Sequence, residues 1–121
     1  MGSNSGYEKE AQLFRALSHP VRLRILDILA QQEACVCHLT AILGQRQPYV
    51  SQQLATLRDA GLVKDRREGT LIYYRLVDEH LSKLLDAGKS VVIDLEGNGL
   101  RFPAIPAALA DCPCPRCQGE G

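Results

Sequence analysis

Apolar residues recur at helical spacing through the first half of the chain. Leu13, Phe14 and Leu17 predict a first helix over Tyr7 to Leu17. Ser18 offers an N-cap, and Pro20 suits the first turn of a second helix over about residues 19–31. That helix carries Val21, Leu23, Ile25, Leu26, Ile28 and Leu29, apolar nearly all round, as a central helix is. A short third helix runs from about Cys35 to Leu43, with Leu39, Ile42 and Leu43 inward, and Gly44 stops it. Pro48 opens a fourth, with Val50, Leu54 and Leu57 inward, and Gly61 ends it.

The period then changes from helical to alternating. Leu62 to Arg66 and Thr70 to Val77 flank an Arg67-Glu68-Gly69 turn, which predicts a β-hairpin on which one of Tyr73 and Tyr74 packs and the other faces out. From Asp78 a fifth helix follows, with Leu81, Leu84, Leu85, Val92 and Leu95 on one stripe and Gly88 as an interruption. Beyond Gly97 the composition turns to Gly, Pro and Ala. The expected organisation is residues 1–6 as a disordered N-terminus or cloning scar, 7–96 as one DNA-binding and dimerisation domain, and 97–121 as a Pro/Gly-rich, cysteine-containing tail. Two helices joined by a tight turn around Gly44 to Gln47 form a helix-turn-helix, whose second member enters the DNA major groove.

Charge sharpens this picture. The 121 residues carry no net charge, yet the surplus is local. Residues 46–75 hold six basic side chains against three acidic, while residues 76–121 hold four against seven. Phosphates are neutralised by local charge, so the middle third is the expected contact surface. On the fourth helix Gln47, Tyr49, Ser51, Gln52, Gln53 and Thr56 are expected outward, amide and hydroxyl groups suited to reading base edges. Arg46 and Arg58 flank that face, and Arg66 and Arg67 on the hairpin complete the expected phosphate contacts. No apolar run is long enough to span a membrane, and no export signal opens the chain. A cytoplasmic protein is expected, with no membrane partner and no small organic substrate. Nothing in it suggests an enzyme: no anion-cradling loop precedes a reactive thiol.

Five cysteines fall in two clusters, Cys35 with Cys37, and Cys112, Cys114 and Cys117. An odd number without an export signal favours metal or redox chemistry over a disulfide framework. Residues two apart in a helix point to different sides, so Cys35 and Cys37 can grip one ion only at a helix start. There the helix N-terminus also favours thiolate. Soft thiolates select soft ions and exclude calcium and magnesium. Packing cysteines are the alternative for the first pair; a separate zinc knob or a disordered tail that oxidises on storage is the alternative for the second.

The order of elements, with Ala16-Leu17-Ser18-His19-Pro20-Val21-Arg22, Glu33-Ala34-Cys35-Val36-Cys37-His38-Leu39, Gln45-Arg46-Gln47-Pro48-Tyr49-Val50-Ser51-Gln52-Gln53-Leu54 and Tyr73-Tyr74-Arg75-Leu76, resembles the ArsR/SmtB family of metal-responsive repressors, most of all its arsenic-responsive branch. The resemblance covers about residues 7–96. It implies a mainly α, winged helix-turn-helix homodimer built on the first and last helices, which represses when operator-bound and is released by metal. It implies Cys35 and Cys37 as ligands of trivalent arsenic or antimony, with cadmium, lead or zinc and a disulfide or persulfide switch as rivals. Where arsenic-responsive members carry a third cysteine, this chain has Thr40, so a third thiolate comes from the tail or does not exist; Cys112, Cys114 and Cys117 could lend ligands to Cys35 and Cys37 or form a trigonal site of their own. The tail spans about 50 Å if extended from residue 96 to Cys112, enough to reach either protomer's third helix. The zinc-type site on the last helix looks half missing: Asp78 and His80 are present, but Val91 and Asp94 stand where its His and Glu belong. His80 is therefore expected as a capping or surface residue, and His38 on a solvated helix position.

Overall fold

The computed structural model describes residues 5–97 and 99–106. Five helices and three strands follow in the order α1 (Ser5–Leu17), α2 (Pro20–Gln31), β1 (Ala34–Cys35), α3 (Val36–Leu43), α4 (Gln47–Asp59), β2 (Val63–Glu68), β3 (Leu71–Leu76) and α5 (Glu79–Glu96). The cysteines Cys112, Cys114 and Cys117 lie outside the described residues.

The helix boundaries have local causes. His19, rather than the expected Ser18, caps α2: its Nδ1 accepts a hydrogen bond from the Val21 N–H at 3.2 Å, and Pro20 occupies the first turn. Gly44 ends α3 in the left-handed region (φ 63°, ψ 26°), and its N–H bonds the Thr40 carbonyl at 3.0 Å. Asp78 caps α5 by accepting from the His80 N–H at 2.8 Å. Gly88, expected as an interruption, leaves that helix continuous.

β2 and β3 form the hairpin, turning at Gly69 (φ 62°) and paired antiparallel from Val63↔Leu76 to Glu68↔Leu71. A third strand, β1, adds to its other edge with Ala34↔Tyr74 and Cys35↔Tyr73, giving the order β1-β3-β2. The central position of β3 corrects the expectation for its tyrosines, because both are buried. Tyr74 joins the helical core, while Tyr73 packs on Cys35 across the sheet.

The core collects Ile25, Leu26, Ile28 and Leu29 of α2, Leu39 and Leu43 of α3, Val50, Leu54 and Leu57 of α4, Val63 and Tyr74 of the hairpin, and Leu81 and Leu85 of α5. Each such aliphatic side chain stabilises by about 1.5–3 kcal/mol on burial. Leu23 and the last turns of α5 depart from expectation: Leu23, Val92 and Leu95 are exposed; Val91 is exposed as well, as are Tyr7 and Phe14 of α1. Phe14, Leu23, Val91 and Val92 line an apolar groove of about 690 Å³ between α1, α2 and α5, with Phe102 and Ile105 at its edge. Ile105 also packs on the core, and the Lys89 ammonium spans from Asp27 of α2 (2.7 Å) to the Phe102 ring (5.7 Å). No helix among the described residues is long and apolar enough to cross a membrane.

Candidate nucleic-acid interface and cysteine site

Helix α4 buries Val50, Leu54 and Leu57 completely, so its opposite face is free for solvent. Ser51 and Gln52 lie on that face and are exposed, as are Gln47 at the helix start and Arg46 at the N-cap. Thr56 is half-buried and its hydroxyl bonds back to the Gln52 carbonyl at 3.2 Å. Tyr49 is half-buried too, its hydroxyl 3.4 Å from His19 Nε2.

Gln53 does not face outward. It is 7% exposed, and its Oε1 accepts from Arg22 Nε at 2.9 Å. The reason is periodicity: position 53 is three residues past Val50 and four before Leu57, on the flank of the buried stripe. Spacing puts position 53 beside the buried stripe but does not give its partner, because Arg22 is 31 residues away in sequence.

The flanking cations divide into held and open ones. Arg58 lies 3.7 Å from Asp65 and 4.0 Å from Asp59. Arg66 is gripped by both oxygens of Glu33, at 2.7 and 2.8 Å, pairs with Glu68, and stacks over the Tyr73 ring at 4.6 Å. Its hydrogen bonds to Glu33, then Glu68, raise the guanidinium pKa above its ordinary value. Two carboxylates therefore already neutralise Arg66. Arg67 is exposed and makes no ion pair among the described residues, and Lys64 and Arg75 are exposed beside it.

Cys35 is 1% exposed and occupies two roles at once, last residue of β1 and N-cap of α3. Its extended backbone (φ −82°, ψ 161°) turns Sγ toward the helix start, where it accepts from the His38 N–H at 3.4 Å. Cys37, half-buried in the first turn, meets it there: the two sulfurs are joined as a disulfide, with the Cα atoms 5.4 Å apart. The non-helical cap conformation of Cys35 permits this meeting, because two residues inside the helix would diverge. Cys35, Cys37, Tyr73 and Leu71 form a small apolar cluster of their own.

Further donors near the pair are few. His38 is 3% exposed, which corrects its expected solvated position: it follows the cap on the inner side of α3, next to Leu39. Thr40 Oγ1 is buried without a hydrogen-bond partner among the described residues. No group of three His, Cys, Asp or Glu side chains is arranged to hold a metal among those residues. Asp78 and His80, at the start of α5, are an exposed capping pair, their side chains 2.9 Å apart. That pairing raises the His80 pKa through its hydrogen bond to Asp78, and lowers that of Asp78 chiefly through the His80 backbone N–H.

Helices α3 and α4 form the helix-turn-helix and the β2–β3 hairpin its wing, which makes this a winged helix-turn-helix fold. The model of the bacterial regulatory protein arsR family matches residues 19–65. The arsenic resistance transcriptional regulator ArsR1 of Pseudomonas putida is 41% identical over 97 residues, covering 79% of this chain and 75% of that protein. A transcriptional repressor SmtB homolog of Synechocystis is 46% identical over 77 residues, but the chain spans only 58% of its length. Among solved structures, the homodimeric winged helix-turn-helix DNA-binding domain Mb0332 of Mycobacterium bovis is similar, with a TM-score of 0.71, 32% identity, and coverage of 84% of this chain and 94% of that one. The chain belongs to the ArsR/SmtB family of transcriptional repressors.

Proposed function

We propose that this repressor binds operator DNA as a homodimer and releases it when Cys35 and Cys37 capture a thiophilic ion, trivalent arsenic or antimony before cadmium, lead or zinc. The observation that carries the reading is the convergence of the two sulfurs at the first turn of α3. Helix α3 packs on α4, and β1 ties the same residue to the wing. A relative named for arsenic resistance, 41% identical to this chain, supports the choice of ion.

Exposed Gln47, Ser51 and Gln52 read base edges in this account. Arg46, Arg58 and Arg67 meet phosphates, with Lys64 and Arg75 alongside. The apolar groove of α1, α2 and α5 receives the second protomer, as expected of a family with a homodimeric member of this fold. The donor set fits a soft ion and offers two thiolates; one of Cys112, Cys114 and Cys117 supplies a third. The ion, when bound, supplies strong bonds to sulfur. Ligation would draw on the same Cys35 sulfur that caps the His38 N–H, in a residue also paired with Tyr73 of β3. A coupling of about 1–3 kcal/mol between ligation and DNA affinity corresponds to a loss of about 5–150-fold in operator binding.

The test is titration of phosphine-reduced protein with arsenite, cadmium and zinc while operator release is followed by fluorescence anisotropy. Arsenite should release the wild type and leave Cys35→Ser and Cys37→Ser bound. Normal release of both variants by arsenite overturns the reading.

One observation favours a second reading, the Cys35–Cys37 disulfide itself. In a redox switch the two thiols lose two protons and two electrons, and a peroxide takes them up, hydrogen peroxide becoming two waters or an alkyl hydroperoxide an alcohol and a water. Release by peroxide without reductant, with no response to arsenite in phosphine, would identify that switch instead.

A further inference from the structure

Arg22, on the first turn of α2, is bound at both ends of its guanidinium. Its Nη1 donates to the Ala16 carbonyl at 3.2 Å, in the last turn of α1. Its Nε donates to Gln53 Oε1 at 2.9 Å, in the middle of α4. The first bond satisfies a carbonyl left without a partner at a helix C-terminus, where a cation is also favoured by the helix dipole. The second gives a buried amide its acceptor's partner, a charge-assisted bond stronger than a neutral one.

One turn earlier on α4 a second tie repeats the arrangement. His19 Nδ1 accepts from Val21 N–H, so the ring proton sits on Nε2 and points at the Tyr49 hydroxyl 3.4 Å away. Positions 49 and 53 lie on one side of α4, four residues apart. The α1–α2 corner therefore holds the helix at two successive turns. The same corner contributes Leu17, Ser18 and Pro20 to the apolar groove.

We infer that Arg22 and Gln53 are positioning residues for operator recognition: they fix the angle of α4 against the α1–α2 corner, and Gln53 reads no base. This rests on α4 being the reading helix and is independent of which effector releases it. Other side chains of α4 read the bases, and Arg22 sets where they land.

The experiment uses the full chain and an operator selected by it from a random duplex pool. Gln53→Leu and Arg22→Met should each weaken operator binding about tenfold, about 1.4 kcal/mol, and the double variant should be little worse than either. Gln53→Glu should stay within about threefold of wild type, because its carboxylate still accepts from Arg22. A negative base reader facing DNA would instead lose binding heavily. Across a panel of single-base operator changes, Gln53→Leu should compress the preferences at all positions together. A preference lost at one base pair, a strongly impaired Gln53→Glu, or additive single variants would each overturn the inference. Thermal melts check folding, and Arg22→Met carries the same comparison if Gln53→Leu does not fold. Gln52→Ala and Gln47→Ala run alongside: if neither weakens operator binding, the placement of reading in α4 fails, which the Arg22–Gln53 cycle alone would not produce.

Discussion

The groove on α1, α2 and α5 makes a quantitative demand on α5. Val91, which lines the groove, and Leu95, one turn further along the helix, are 56% and 78% exposed in the protomer. Full burial of a Val or Leu side chain stabilises by about 1.5–3 kcal/mol, so each has roughly 1–2 kcal/mol still to gain from a partner. A two-fold axis doubles the pair, which puts the loss on replacing both with Lys at roughly 4–8 kcal/mol of dimer free energy. At 1.4 kcal/mol per decade, the dimer dissociation constant rises by about three to six orders of magnitude. The fold should survive, since substitutions at exposed positions shift stability by about 0.5 kcal/mol or less. Leu85→Lys is a poor substitute, because Leu85 belongs to the core and its replacement unfolds the protomer. Sedimentation velocity from nanomolar to tens of micromolar protein gives the readout, with a thermal melt beside it. Val91→Lys with Leu95→Lys should be monomeric, folded and weak on operator. A folded double variant that still dimerises at wild-type concentration would place the interface away from this half of α5.

Base reading and phosphate contact should separate by salt and sequence. Gln52→Ala is expected to lose about 1–3 kcal/mol on operator and little on random duplex, whereas Arg67→Ala should weaken both alike with a shallower salt slope; anisotropy at several salt concentrations compares them. Changing Cys112, Cys114 and Cys117 together to Ser should leave operator affinity intact and blunt release by arsenite, and an unchanged arsenite titration would remove the tail from the site. The Asp78–His80 pair predicts a pH signature. The raised His80 pKa contributes stability fully below the ordinary histidine value, and that stability is lost as pH rises through the folded value. The lowered Asp78 pKa contributes above the ordinary carboxylate value and is lost as pH falls through its folded one, so the pair acts between the two. In an NMR titration Asp78→Asn should bring the His80 pKa down; an unmoved His80 would refute the pairing.

Where periodicity was long, the chain was legible. The buried stripe of α4, the inward residues of α3 and the hairpin around Gly69 all follow from spacing and turn chemistry. Three features depended on contacts distant in sequence and left no such trace. β1 is two residues long, too short for any alternation, yet it makes β3 central and buries Tyr73 as well as Tyr74. Gln53 looks like another surface amide until Arg22, 31 residues away, is seen to claim it. Arg66 counts as a free cation in any charge tally, whereas Glu33 binds it from 33 residues away. Polar side chains are the hard class here: composition marks them as available, and only the fold shows which are already committed.

The position of Cys35 bears on how much energy a sensing event has to move. An N-cap side chain contributes about 0.5–2 kcal/mol to its helix, and the proposed coupling of about 1–3 kcal/mol is of the same size. Disturbing the sulfur that accepts from the His38 N–H would thus account for much of the loss of operator affinity without unfolding the domain. The same size argument explains why Cys35→Ser is the informative replacement: its hydroxyl preserves a cap at the start of α3, so the DNA-binding form persists while the soft ligand is gone. The two ends of α2 then carry different duties. Its first turn, through His19 and Arg22, holds α4 at a fixed angle. Its far end leads through Glu33 to Cys35, where α3 and the wing meet. A change at the cysteines would therefore reach α4 through α3 and the wing through β1, leaving the α1–α2 corner and the apolar groove in place, so release on this account requires no dissociation of the dimer.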